Sequence, residues 1–353
     1  MKREFLMLAQ NYDSKKHGVG GWFVSEKLDG MRAFWDGGVT RGMPANDVPW
    51  ANVEKDSRYV TAPYSTGLWT RYGKTIQAPD WWLDQLPDFQ LDGELHMGRK
   101  NFQSLVSVVK TMSGSDWSSV QFMIFDVPPT GVIFSNGEIN NTNFKKKITD
   151  VEAWYCQKAN RVIPSFIEFE SSYKFLCKNI QDIQVASILT QDRLPFHTRM
   201  AAEEINERLH SITEAGGEGL MLRNPSSMWR AERSHSLLKV KRLHDAEGVV
   251  VGYTWGKETD KGSKLLGKMG SLKLRLSNGR TFDLSGFTDE ERVMMLRYAD
   301  EPAIEEGSLH PGEEVDVHRF TNPNFPLGCN VTFTYRELTD TGVPKEARYW
   351  RKR

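Results

Sequence analysis

Cysteine is scarce in this sequence: Cys156, Cys177 and Cys329 are the only three in 353 residues, and no two form a Cys-x-x-Cys pair. That argues against both a disulfide framework and a zinc site, so the three are expected to be plain buried or half-buried thiols. Long apolar runs are missing as well. None approaches the roughly 18 residues that a membrane span requires, and the N-terminal FLMLA is too short for the apolar core of a secretory signal. With 39% hydrophobic and 26% charged residues, the composition is that of an ordinary soluble globular protein. The expected compartment is cytoplasmic or nuclear. Charge of one sign is also lacking: 46 basic residues balance 46 acidic ones. No whole-molecule field therefore draws in nucleic acid, and any such case must rest on local clustering. The eight histidines show no metal-ligand spacing, and neither repeats nor low-complexity tracts occur.

Local clustering does exist. Between Arg223 and Arg280 stand thirteen Lys or Arg against five acids, although a solvated charged face is the ordinary explanation of such a stretch. The length predicts two domains. Residues 22–41 read as a hairpin, in which the strand WFVSEK, a DG turn, MRAFW, a DGG turn and VTR follow one another. FQLDGELHM, VQFMIFDV, EGLMLR and SLLKVKR read as further strands. AAEEINERLHSITEAGG places Ile205, Leu209 and Ile212 at helical spacing before a Gly216-Gly217 stop. Residues 128–143 read as a polar loop, with helices near 145–158 and 170–182. Past Asp245 the pattern changes to short strands: EGVVVGYTW, GSLKLRL, an Asn278-Gly279 turn into RTFDLSGF, then EEVDVHRF and NVTFTYREL. A helix over DEERVMMLRYA interrupts them, and a five-stranded OB-type barrel is the size that fits. The boundary falls near His244, giving domains 1–244 and 245–353.

The chemistry centres on EKLDGMR, residues 26–32. A free lysine titrates near ~10.4, so a nucleophilic Lys27 needs neighbouring cations, a metal or desolvation; three units of depression cost about 4 kcal/mol. Taken alone, the string fits a charged hairpin end nearly as well. Other strands add to it. Glu94 in LDGEL and Glu218 in GGEGLML are carboxylates where hard oxygen ligands could hold a divalent cation against phosphate. Asp126 follows Phe125 at a strand end. Lys239 and Lys241, two apart on a strand, point to one face; like charges side by side repel, and a polyphosphate between them is the better account.

In order and spacing, KLDGMR, TRYG (70–73), LDGEL (91–95), MIFDV (123–127), EGLMLR (218–223) and LLKVKR (237–242) resemble the motifs of the covalent nucleotidyltransferase superfamily, specifically minimal ATP-dependent DNA ligases. The resemblance covers residues 22–244, and the remainder resembles the family's OB domain through DAEGVVVGY, LLGKMGSLKL and GFTDEER. It implies an α+β fold: an ATP-grasp-like adenylation domain of antiparallel sheets with helices, followed by a small OB-fold β-barrel. It also implies that Lys27 takes AMP from ATP, that AMP passes to the 5'-phosphate of a nick, and that the 3'-hydroxyl displaces it. Lys27, Arg32, Lys239 and Lys241 would be catalytic. Glu26, Arg32, Arg71, Glu94, Phe125, Glu218, Lys239, Lys241 and Arg351 would contact the nucleotide, with Phe125 stacked on adenine. Glu94 and Glu218 would hold Mg2+ or Mn2+, and the lysine pair would neutralise charge at the α-phosphate and lower the pKa of Lys27. In the last motif, at the C-terminus, Lys345 stands where the family commonly has arginine, which leaves Arg348 and Arg351 both open for orienting pyrophosphate.

The implied partner is nicked duplex DNA, met by a monomer without a membrane; Arg71, Lys261, Lys264 and Lys268 are expected on the DNA. The 26 residues before Lys27 are too few for the nicotinamide-binding domain of NAD-dependent ligases, which favours ATP. Small size suggests a phage or accessory bacterial enzyme. An RNA ligase, an mRNA-capping guanylyltransferase and an unreactive DNA-binding module stand as alternatives. GSKLLGKM (262–269) mimics a P-loop but ends in Met269 where Ser or Thr must bind magnesium, so it reads instead as a basic loop. Trp69, Trp81 and Trp82 are expected in the core.

Overall fold

The computed structural model describes residues 6–52, 64–111, 114–129, 151–166, 168–258, 262, 264–298, 310–339 and 341–352. Two compact units divide the chain, Met1–Lys241 and Arg242–Arg353. None of the helices among the described residues is long and apolar enough to cross a membrane.

In the first unit ten strands make two five-stranded sheets. They are β1 (Leu8–Asn11), β2 (Phe23–Lys27), β3 (Met31–Asp36), β4 (Leu68–Thr70), β5 (Gln90–His96), β6 (Gln121–Asp126), β7 (Ala186–Ile188), β8 (Asp192–Arg193), β9 (Gly219–Arg223) and β10 (Arg233–Val240). One sheet has the order β1-β10-β9-β2-β8 and the other β4-β3-β5-β6-β7. Pairing is antiparallel except for β1 with β10 and β6 with β7, so the sheets are not purely antiparallel.

The hairpin expected over residues 22–41 does not form. Both edges of β2 are taken, by β9 over Phe23–Lys27 and by β8 at Phe23 and Val24. The strand after the DG turn joins the other sheet, between β4 and β5. Leu28, Asp29 and Gly30 are a crossing between sheets, and Gly30 allows it because a Cβ there would lie 2.3 Å from the Leu95 carbonyl oxygen. The VTR segment is a turn, entered through Gly37 and Gly38, both at φ 75°.

Helices cover the outer faces. They are α1 (Asp80–Leu83), α2 (Phe102–Lys110), α3 (Val151–Ala159), α4 (Phe169–Asn179) and α5 (Thr198–Glu214). Trp82, Leu105, Val109 and Leu176 from α1, α2 and α4 pack into one core with Leu91, Leu95 and Phe122 of the second sheet. Trp69 is buried against Trp50 and Tyr155. Trp81, expected beside them, is 50% exposed, because successive helical residues face different ways and only Trp82 turns inward. α5 buries Ala201 and Ile205 on Val24, Leu220, Leu222 and Leu238, and it ends as the glycine pair predicts, with Gly216 at φ 83°. The polar loop expected over 128–143 falls, from residue 130 on, outside the described residues. Cys156 and Cys177 are exposed rather than buried, and Cys329 is half-buried.

The second unit contains β11 (His244–Trp255), β12 (Met269–Arg275), β13 (Thr281–Leu284), β14 (Met295–Leu296), β15 (Phe320–Thr321), β16 (Asn330–Tyr335), β17 (Glu337–Leu338), β18 (Pro344–Lys345) and β19 (Arg348–Lys352). Its sheet runs β13-β12-β11-β16-β19, antiparallel throughout. The edges meet only at a single Ser285–Arg348 bridge, so the expected barrel is not closed by a ladder. The helix expected over 289–299 does not form over its described residues, 289–298. Thr288 and Glu291 exchange the bonds of a capping box, but the next residue, Arg292, is buried and donates to the carbonyls of Phe287, Met269 and Gly270. Those bonds fasten the chain to β12, after which Met295–Leu296 pairs with β15 as a strand. The strand expected over EEVDVHRF shrinks to Phe320–Thr321, because Asp316 closes a turn onto His318 and Phe320.

Asp36 is fully buried, and burial pushes its carboxyl up to about 6 despite hydrogen bonds from Thr40 and Trp69. Between its ordinary value of 3.8 and about 6 the folded chain holds a proton that the unfolded chain has released; this contribution to stability therefore grows as pH falls through that window and is lost above it. Urea unfolding of the wild type and Asp36→Asn should show the difference in unfolding free energy shifting in favour of the wild type, by up to about 3 kcal/mol, between pH 7 and pH 4. A difference independent of pH would contradict the assignment.

Candidate active site

A cavity of about 740 Å³ opens in the first unit, lined by residues of both sheets. It lies within the usual range for small-molecule sites, roughly 300–1,000 Å³. The crossing at Leu28–Gly30 places Lys27 on its wall, because β2 stops where the chain leaves one sheet for the other.

Lys27 Nζ donates to Glu218 Oε2, and Lys241 Nζ pairs with Glu218 Oε1, so one carboxylate is held between two ammonium groups. Glu218 precedes β9, the strand that pairs with β2, and Lys27 stands opposite Gly219 in that register. Burial alone would raise the Glu218 carboxyl; the charges of Lys27 and Lys241 and their hydrogen bonds outweigh it and hold the group below its ordinary value. Lys239 lines the same cavity. Glu94 Oε1 accepts the Gly30 N–H at 3.1 Å, pinning the crossing from below. Burial raises its carboxyl, and Lys27 and Arg32 offset part of that.

Arg32 is gripped rather than free. Its Nε and Nη2 donate to Asp92 Oδ1 and Oδ2, each at 2.6 Å, and its guanidinium lies 4.5 Å from the centre of the Phe125 ring. Trp229 Nε1 also donates to Asp92, at 3.2 Å. Burial works against the Arg32 charge, yet Asp92 prevails and raises its pKa. Behind this pair, Arg223 Nη2 lies 3.5 Å from Asp126. Burial lifts Asp126 to about 6, moderated by Arg223 and Ser172.

The remaining expected residues fall into three groups. Arg71 lines the cavity beside Tyr72, its guanidinium 4.6 Å from the ring centre. Glu26 also borders the cavity, but both its carboxylate oxygens take hydrogen bonds from Arg99. In the second unit, Lys264 pairs with Asp289 at 2.8 Å, Lys268 lies 4.0 Å from the same carboxylate, Arg348 donates to Ser285 Oγ, and Arg351 sits over the Trp350 ring. Lys261 lies outside the described residues. The cavity thus brings together Lys27, Arg32, Arg71, Glu94, Phe125, Glu218, Lys239 and Lys241.

Three comparisons bear on this arrangement. Residues 261–353 match the family described as the DNA ligase OB-like domain. The chain is 24% identical over 348 residues to a DNA ligase of Haemophilus influenzae, covering 99% of this chain and 92% of that one. Its fold superposes with a TM-score of 0.61 on a Lig E DNA ligase described as binding DNA with a minimal scaffold, at 26% identity and 99% and 98% coverage. Over its length the chain is thus similar to DNA ligases, and its residues 261–353 match their OB-like domain. A Pmar-Lig structure, 17% identical with a TM-score of 0.58 over 98% of this chain and 67% of the other, shares the fold.

Residues to which the sequence reading gave no role complete the site, two of them within the quoted motifs. Asp92, itself bonded by Trp229, holds Arg32, and Arg223 pairs with Asp126; sequence reasoning missed the parts of Asp92, Arg223 and Trp229. A signal for Asp92 was present: it stands two residues before Glu94 on β5 and therefore shares its face. Nothing local could have shown Arg223, whose partner Asp126 is 97 positions away. Asp92 is fully buried, so Asp92→Ala leaves the half-buried Arg32 charge without its partner. Unfolding in urea should register a loss of about 3–5 kcal/mol; a loss below about 1 kcal/mol would mean that the pair carries no structural burden.

Proposed function

We propose that this ligase seals nicks in duplex DNA, with ATP as the adenylyl donor and Lys27 as the nucleophile. The observation that carries the reading is the Glu218 carboxylate held between Lys27 and Lys241 on the wall of a nucleotide-sized cavity. In the first reaction, Lys27 Nζ attacks the α-phosphorus, a P–N bond forms, the bond to pyrophosphate breaks, and the lysine proton leaves. The AMP then moves to the 5'-phosphate of the nick, and the 3'-hydroxyl displaces it to close the phosphodiester.

The chain's own groups support these steps. Phe125 offers one face to adenine while Arg32 covers the other. Lys239 and Lys241, freed by nucleotide from part of their present pairing, would stabilise charge that develops on the α-phosphate. Asp92 occupies Nε and Nη2 of Arg32, which leaves Nη1 for a phosphate oxygen. Arg71, at the cavity edge, would take a second phosphate. Among the described residues no cluster of three His, Cys, Asp or Glu could hold an ion alone. Glu94 and Glu218 nonetheless line one cavity, and one or two carboxylates completed by phosphate oxygens suit Mg2+ or Mn2+. That ion would neutralise phosphate charge when bound.

The test uses purified protein, radiolabelled ATP and a nicked duplex. Lys27→Ala should form no acid-labile adduct and seal no ordinary nick, yet still seal a nick already carrying AMP; loss of both activities would contradict the assigned role. Labelling by GTP in place of ATP would favour a capping enzyme. The basic loop supplies a separate outcome: alanine at Lys261, Lys264 and Lys268 should weaken nick binding and flatten its salt dependence while self-adenylylation is kept. Unchanged nick affinity would remove the loop from the DNA interface.

A further inference from the structure

One guanidinium outside the motifs touches both chain segments that carry the Lys27–Glu218 pair. Arg99 Nε and Nη2 donate to Glu26 Oε1 and Oε2 at 2.8 Å each, and Nη1 donates to the Ala215 carbonyl at 3.1 Å. Glu26 immediately precedes Lys27 on β2. Ala215 closes α5, three residues before Glu218. Arg99 itself belongs to the turn between β5 and α2, so it is rooted in the second sheet while its bonds reach the first.

The surroundings hold this clasp closely. The turn contains Gly98 at φ 86° and Lys100 at φ 63°, the latter a conformation uncommon for a side-chain-bearing residue. A Cβ on Gly216 would lie 2.8 Å from Lys100 Cε, and one on Gly217 would lie 2.8 Å from Glu26 Oε1 and 2.5 Å from Ile212 Cγ2. The glycine pair that ends α5 therefore also lets the turn and Glu26 approach.

We propose that Arg99 is a positioning residue for lysine adenylylation: by holding Glu26 and Ala215 at once, it sets the placement of Lys27 relative to Glu218. The pair is partly solvated, with 37% of the Arg99 side chain and 22% of the Glu26 side chain exposed, and ion pairs at such exposure add little to global stability. What a bidentate fork with a third bond supplies is direction. Misplacement of a reacting group by about 1 Å costs on the order of 100-fold in rate.

This inference rests on Lys27 being the nucleophile, and its test separates the two ideas. Single-turnover Lys-AMP formation at saturating ATP is measured beside sealing of a pre-adenylylated nick, with thermal melting as a control of folding. For Arg99→Ala the first rate should fall about 10-fold or more. The ATP concentration at half-saturation and the second rate should each change by less than about threefold, since neither needs the lysine to attack. Glu26→Gln should give the same pattern in milder form and serves if Arg99→Ala folds poorly. Arg99→Lys should recover only part of the rate, because an ammonium cannot span both partners. Lys-AMP formation within about threefold of wild type in both Arg99→Ala and Glu26→Gln, or equal losses in both reactions, would overturn the proposal. A wild type that forms no Lys-AMP would instead overturn the proposed function.

Discussion

The geometry of the candidate site depends on one topological feature: β2 pairs with β9 along its whole length, from Phe23 to Lys27, while the strand after it, β3, pairs with β4 and β5 in the other sheet. The chain therefore crosses between the sheets immediately after Lys27. That crossing puts the end of one sheet beside the start of the other and opens the cavity there. Gly30 makes the passage sterically possible, and the Gly30 N–H to Glu94 bond fixes its height.

Electrostatics in the cavity follow from the same arrangement. A chain of zero net charge concentrates cations on the wall contributed by β2 and β10 and buries acids on the wall contributed by β5 and β6. Buried charges are costly unless paired, and the two deep arginines here each have a carboxylate partner: Arg32 with Asp92, Arg223 with Asp126. Glu218 differs, since it answers two ammonium groups at once. Its two oxygens are divided between Lys27 and Lys241, which ties β2 to the end of β10 through one carboxylate.

The motif residues were legible because their chemistry is local. A lysine before Asp-Gly, acids beside glycine on strands and two lysines on one strand face can be read from spacing, and all of them reach one cavity. α5 was legible for a similar reason: apolar residues at helical spacing and a glycine stop need only short-range rules. The expectations that failed share a different cause. In place of the hairpin at 22–41, β2 pairs with β9, nearly 200 positions on, and β3 pairs with β5, some 60 positions on. The helix at 289–299 failed because Arg292 finds carbonyls on β12. Trp81 and Trp82 are adjacent and alike, and only packing against Trp117 and Phe122 decides which one is buried.

The sequence by itself determined which reactive residue types are available, since a lysine before Asp-Gly, carboxylates beside glycine and a lysine pair on one strand face are properties of short spacing. It also determined the change from a mixed α/β first part to a strand-rich second part, through local periodicity. Only tertiary structure decided which charges meet. Whether Arg32 is free or held, whether Glu26 faces a nucleotide or Arg99, and whether Glu218 answers one lysine or two all depend on contacts between residues tens to hundreds of positions apart. Coulomb energies depend on distance and burial, and neither is encoded in any short stretch of the chain.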